Sequence, residues 1–294
     1  MTESRQRKLP SAAFIFALLG IFQASTTVAD SIHQPTIAII IDDMGNQYQN
    51  GLDLVRLPYP LTLSFLPGRP YTKKLSTLAT QHHKEIMLHS PMENSLGLKL
   101  GLGGLRENMS EQEIKSTLTN SFKAIPNMIG INNHMGSKLT TKPIIMKWVM
   151  EQVKQHPFYF VDSRTSADSV AAQTAEAFHI PNLSRDVFLD HQQTRKFVQK
   201  QFLKLIKIAK EKGSAIAIAH PHKVTVDYLS WALPKLDEKG IRLATVSAIW
   251  RIQHPHKIMH QHHNTPQKKW LNASETVAQH FQQKQPSAKT TFMQ

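Results

Sequence analysis

The residues with chemical potential in this 294-residue chain recur in one kind of place, directly after short apolar runs. Residues 36–41 run into Asp42 and Asp43, residues 85–88 into His89, Ser90 and Glu93, and residues 128–131 into Asn132, Asn133 and His134. Residues 158–161 are followed by Asp162, Ser163 and Arg164, and residues 214–219 by His220 and His222. Carboxylates and neutral imidazoles gathered in this way suit a divalent cation, zinc above all, held by a few side chains with one position left for water. Adjacent side chains on an extended backbone point to opposite sides. One carboxylate of the Asp42–Asp43 pair could therefore ligate the cation while the other activates the water. His89 and His134 supply the imidazoles, and His220, from a late segment, could protonate a leaving group.

These residues need a scaffold that delivers them to one place. The apolar runs (with 61–66, a weaker 186–189, and 242–249 in addition) alternate with amphipathic stretches, the pattern of βα units and a parallel sheet. Several runs are continuously apolar, as strands covered on both faces are. Between them, Ser110 and Glu113 form a capping box that opens a helix over 110–123. Further helices are predicted over 142–155, 167–178, 192–212 (ended by Gly213) and 226–239 (ended by Gly240). Seven or eight such units in about 220 residues match a compact βα barrel, with a doubly wound open sheet as the other arrangement. In either, the carboxyl ends of the strands share one face, where such folds place their sites.

The chain contains no cysteine, which excludes thiol nucleophiles, disulfides and cysteine-ligated metals. Its formal net charge of +14 suits an anionic partner, whether nucleic acid, lipid or an acidic wall polymer. Residues 1–9 carry Arg5, Arg7 and Lys8, residues 12–22 are almost purely apolar, and small residues follow to Thr27-Val28-Ala29. That is the layout of a secretory signal peptide over 1–29. It predicts a periplasmic product with no stable membrane insertion after cleavage, an uncleaved signal anchor being the alternative. Export, and the lack of a basic-aromatic motif, argue against a nucleic-acid partner. The folded domain is expected over 30–253. Residues 254–294, rich in His, Gln and Lys, lack apolar periodicity and read as a disordered tail. Its histidines (His254, His256, His260, His262 and His263) would alternatively suit a metal carrier.

The motifs also carry a resemblance. Ile-Ile-Ile-Asp42-Asp43-Met-Gly is similar to the first motif of polysaccharide deacetylases, and Met87-Leu88-His89-Ser90-Pro91-Met92-Glu93 resembles their second. Ala217-Ile218-Ala219-His220 resembles their last. Together with Gly130-Ile-Asn-Asn-His134-Met-Gly-Ser and the His-Pro-His ending, these look like the divergent polysaccharide deacetylase family across about residues 35–250. The resemblance implies an irregular (β/α)7 barrel and metal-dependent removal of acetyl groups from an envelope polysaccharide or peptidoglycan-type glycan. It assigns Asp42 as catalytic base, Asp43 and His89 as metal ligands, His220 as catalytic acid, and Asp162 as the carboxylate that orients base or acid. This sequence departs at the second metal histidine, where Glu93 stands. His134 is expected to supply the missing imidazole, with Glu93 as its rival. A barrel of the same kind without turnover, binding wall glycan or an envelope protein, is the alternative function.

Overall fold

Ile37, Ile39, Ile40 and Ile41 are β-branched and stiff at χ1, which favours a pleated backbone, and they form the first half of β1 (Thr36–Met44). The computed structural model describes residues 34–257. Parallel to β1 on one side run β2 (Thr62–Phe65), β3 (Glu85–Met92), β4 (Gly130–Met135), β5 (Tyr159–Asp162) and β6 (Asn182–Ser184) in that order. On the other side lie β8 (Ser214–Ala219) and then β7 (Val187–Phe188), while β9 (Arg242–Leu243) pairs with the start of β1. Only Arg185 and Asp186 separate β6 from β7. The Arg185 N–H donates to the Asp162 carbonyl on the β5 edge (3.0 Å), and the Asp186 N–H to the Ile216 carbonyl on the β8 edge (2.9 Å). One bent segment thus joins both edges of the sheet. The circuit has seven strand positions, the irregular (β/α)7 barrel expected from sequence, and the doubly wound alternative is excluded.

Eight helices surround or plug this circuit among the described residues: α1 (Tyr48–Arg56), α2 (Thr72–Gln81), α3 (Glu111–Ala124), α4 (Pro143–Val153), α5 (Ala171–Ala177), α6 (Arg195–Lys212), α7 (Lys223–Ala232) and α8 (Val246–Gln253). The expected capping box opens α3, with both Ser110 and Glu113 satisfying the other's backbone N–H. Gly213, at φ 84°, ends α6 in the left-handed conformation that glycine adopts without strain. Alternation along the strands divides the core into two layers. Ile37, Ile39, Ile41, Leu63, Phe65, Leu88 and Phe160 face the helices. Ala38, Ile40, Met87, Tyr159, Val161, Ile216 and Ile218 fill the barrel, joined by Val246, Ile249 and Trp250 of α8. The first turn of α8 is fastened at the strand starts, where the Val246 N–H donates to Thr62 Oγ1 (3.2 Å) and the Ser247 N–H to Glu85 Oε1 (3.1 Å). α8 therefore plugs the end of the barrel opposite the site.

Two expectations are corrected. Residues 242–249 are not one apolar strand, because only Arg242–Leu243 pairs. Val246, Ile249 and Trp250, spaced three and four apart, form the buried face of a helix. The helix expected over 226–239 stops at Ala232, and 3-10 turns over Leu233–Lys235 and Asp237–Lys239, the first containing Pro234, carry the chain to Gly240. Helices α1 and α2 are additional, each burying a narrow face in an otherwise polar sequence. The proposed signal peptide and nearly all of the proposed tail lie outside the described residues.

Candidate metal centre

Strand alternation sets which residues face the lumen at the carboxyl end. Asp42 follows inward-facing Ile40, His89 follows Met87, Ser163 follows Val161 and His220 follows Ile218. On β4, Asn132 and His134 share the parity of Gly130, whose missing side chain leaves room for the Tyr159 ring. The strands do not stop where their apolar runs end: β3 and β4 continue pairing through His89↔Asn132 and Pro91↔His134. Asp43 has the outward parity, so the expectation that the two carboxylates point apart requires correction. The ladder register shifts between Ile41 and Met44, and Asp43 takes a positive φ of 56°. This kink turns its carboxylate back toward the lumen. Asp42 Oδ2 and Asp43 Oδ1 stand 3.5 and 3.4 Å from the same atom, His89 Nε2.

Asp43, His89 and His134 therefore meet. Asp43 Oδ1 lies 3.0 Å from His134 Nδ1, and the two ring nitrogens facing it, His89 Nε2 and His134 Nδ1, are 3.1 Å apart. A tetrahedral zinc with bonds of about 2.0–2.1 Å sets its ligand atoms about 3.3 Å apart, close to all three edges. Asp43 Oδ1 is buried yet makes no hydrogen bond of acceptable angle, despite the two nitrogens beside it. Three donor atoms converging on a common point, one of them an orphaned buried oxygen, is a set that fits a divalent cation.

Asn132, fully buried, fixes the surroundings of this triangle. Its side-chain oxygen accepts from His89 Nδ1 (2.8 Å) and Ser64 Oγ (2.7 Å), and its NH2 donates to Asp42 Oδ1 (2.8 Å) and Ser163 Oγ (3.3 Å). A proton held on Nδ1 leaves the Nε2 lone pair of His89 facing Asp43 and His134, the arrangement a ligand imidazole needs. Burial pushes the Asp42 carboxyl up, against the opposing pull of His89 and His220. Burial also works to raise Asp43, but the His134 and His89 imidazoles overturn it and hold this carboxyl well below the usual range. For His89, burial disfavours the charged ring, and the carboxylates of Asp42 and Asp43 more than reverse that. Carboxylates and imidazoles here sustain one another's charges.

His220 faces this cluster from β8. Its Nδ1 donates to Asp190 Oδ1 (3.0 Å), and Asp190 Oδ2 accepts from the His220 N–H (2.6 Å) and Thr225 Oγ1 (2.8 Å). Burial alone would lower its pKa, but Asp190, with the charges of Asp42 and Asp43, raises it to about 9. Asp162 stands elsewhere. It follows Phe160 and shares its outward parity, and its carboxylate accepts from the Arg164 N–H and from Ser169 Oγ, each at 2.8 Å. The carboxylate that orients His220 is Asp190, which the sequence reading passed over although it follows the weak run ending at Leu189. Glu93 is also apart from the triangle. Its carboxylate pairs with Lys138 Nζ (2.7 Å) and accepts from the Glu107 N–H (2.7 Å), while Lys138 and Lys142 in turn hold Glu107.

Comparisons with known proteins agree with this frame. A family model described as divergent polysaccharide deacetylase matches residues 39–250. An uncharacterized protein of Haemophilus influenzae is 32% identical over 231 residues, 79% of this chain and 82% of that one. The uncharacterized protein YibQ of Escherichia coli is 33% identical over 208 residues, 71% of this chain and 65% of that one. Among solved structures, the uncharacterized protein ATU2773 from Agrobacterium tumefaciens superposes with a TM-score of 0.70 at 24% identity, covering 73% of this chain and 88% of that one, which shows a shared fold.

Proposed function

The chain belongs to the divergent polysaccharide deacetylase family, and from that premise we propose that it is a metal-dependent hydrolase removing acetyl groups from an envelope polysaccharide. The observation that carries this reading is the Asp43–His89–His134 triangle, with Asp42 and His220 facing it from neighbouring strands. Asp43, His89 and His134 would hold the cation, for which zinc suits the donor set best. When bound, it supplies Lewis-acid polarisation of the acetyl carbonyl and a water of lowered pKa. Asp42, fixed by Asn132, accepts the proton of the attacking water at its carboxylate. His220 donates from its ring to the departing amine or alkoxide, with Asp190 holding the imidazole in orientation and sustaining its charge. The lumen-filling side chains beneath keep bulk water out from below. The basic leader-like segment of residues 1–29 supports a periplasmic location, and a peptidoglycan-type glycan is the matching substrate class.

Acetate release from a panel of N- and O-acetylated glycans by metal-loaded protein tests this. Wild type should release acetate from at least one glycan, and Asp42→Asn should keep its metal and lose the release. Bound metal with no release from any glycan would support a barrel that binds glycan without turning it over.

A further inference from the structure

The loop between β3 and α3 displays an unusual surface. Leu96, Leu98 and Leu102 are 82%, 52% and 68% exposed, in a segment whose Leu100 and Leu105 are buried. The loop is held in shape rather than loose. The buried Asn94 side chain accepts from the Leu96 and Leu98 N–H groups (3.0 Å each) and donates to the Leu98 carbonyl (3.2 Å), which fixes the leucines outward. Its position beside the metal centre follows from its contacts. Asn94 Nδ2 reaches Met135 Sδ (3.1 Å) and the Ser95 N–H donates to Ser137 Oγ (3.0 Å), just past His134. On the other flank Leu102 packs against Gly68, and the Arg69 guanidinium lies against Gly101, whose missing side chain makes room for it. Tyr71, 39% exposed, continues the surface, its ring 5.4 Å from that of Tyr48, over which Lys74 Nζ sits at 4.4 Å.

Cations surround these apolar groups. Among the described residues, Arg69, Lys73, Lys74 and Lys99 have no carboxylate within ion-pair distance. The nearby Glu93 and Glu107 are already neutralised by Lys138 and Lys142. Projecting leucines with a tyrosine and cations that no carboxylate holds form the composition that seats a protein at a bilayer interface, aliphatic groups entering the acyl boundary and cations meeting anionic headgroups. We propose that this loop docks the barrel on an anionic phospholipid surface, so that the metal centre works against glycan held next to the membrane. The docking stands whether or not the centre hydrolyses acetyl groups.

The absence of cysteine allows a local reporter, because Leu98→Cys introduces a single labelling site. Full-length Leu98→Cys carrying an environment-sensitive fluorophore is titrated with vesicles of phosphatidylcholine alone or mixed with phosphatidylglycerol. The label's emission should shift to the blue and brighten with the mixed vesicles, and the shift should fade with added salt. Lys73→Gln/Lys74→Gln/Lys99→Gln should weaken the response roughly tenfold or more, and Leu96→Ser/Leu102→Ser should do likewise while the melting temperature holds. A label that stays unchanged on mixed vesicles overturns the proposal, even if the protein sediments with them, since another segment then carries the binding. A shift that rises with protein concentration in the absence of lipid also overturns it, in favour of a second copy of the chain.

Discussion

Asn132 holds with one amide both His89, the proposed ligand imidazole, and Asp42, the proposed base, so its replacement should damage both functions at once. In Asn132→Ala, His89 loses the acceptor on Nδ1 and Asp42 loses a donor. Ligand-orienting partners of this kind typically contribute ten- to a hundredfold in metal affinity, so we expect a drop of about that size together with reduced acetate release. Competition with a chelator of known affinity measures it, and unchanged metal affinity would show that strand packing alone orients His89. The His220–Asp190 pair predicts a pH effect. The acid must carry its proton to donate it, so acetate release should fall as pH rises through the pKa of His220, raised to about 9 by Asp190 and by the charges of Asp42 and Asp43. Asp190→Asn removes the largest of these supports, so the alkaline limb should move to lower pH. A limb that stays in place would exclude His220 as the group responsible. At this scale the sequence was informative about residue type and less so about direction. Period-two alternation already places Asp162 outward with Phe160 and Asn132 inward with His134. The inward turn of Asp43, in contrast, depends on a positive φ at a register shift, which no local pattern announces.

The elements that shape the barrel's closed end lead to a stability prediction. Glu85 Oε1 accepts from Thr62 Oγ1 (3.0 Å), Tyr159 Oη (2.8 Å) and the Ser247 N–H (3.1 Å), so one carboxylate oxygen joins β2, β5 and the first turn of α8. Glu85→Ala would strand three donors away from water, each costing about 1–3 kcal/mol, and should lower stability by roughly 3 kcal/mol or more in denaturant unfolding. Glu85→Gln keeps an acceptor and should lose much less. Equal losses in the two variants would mean that the charge on α8's N-terminus, rather than the hydrogen bonds, is what matters. The long strands were legible because their apolar runs are strong, and α6 because its periodic face is strong and Gly213 stops it. Helix α8 was misread because its first residues continue an apolar run from β9, and a short buried helix cannot be told from a strand by apolarity alone. The β6–β7 hand-over was invisible for another reason: it depends on which distant edges the 182–188 segment meets.

For the whole molecule, the seven-position circuit explains how Asp42, Asp43, His89, Asn132, His134 and His220, distant in sequence, come to one end of the barrel. Its apolar lumen is closed from below by Val246, Ile249 and Trp250 of α8. Just beyond α8 the His254 ring stacks on Trp250 at 4.7 Å, and the sequence after residue 257 lacks the apolar periodicity that would offset its ordering. Deleting residues 258–294 should therefore keep the melting temperature within a few degrees, and a large loss would mean that the basic, His-rich segment docks on the barrel. The site's most distinctive feature is that an imidazole from β4 stands where the sequence motif offered Glu93, just past β3. Metal content of purified wild type, His134→Ala and Glu93→Ala, measured by inductively coupled plasma mass spectrometry, tests this directly. The account predicts one equivalent of divalent metal in wild type and in Glu93→Ala, and a loss in His134→Ala with the fold retained by circular dichroism. Full metal in His134→Ala with loss in Glu93→Ala would contradict it and make Glu93 the third ligand.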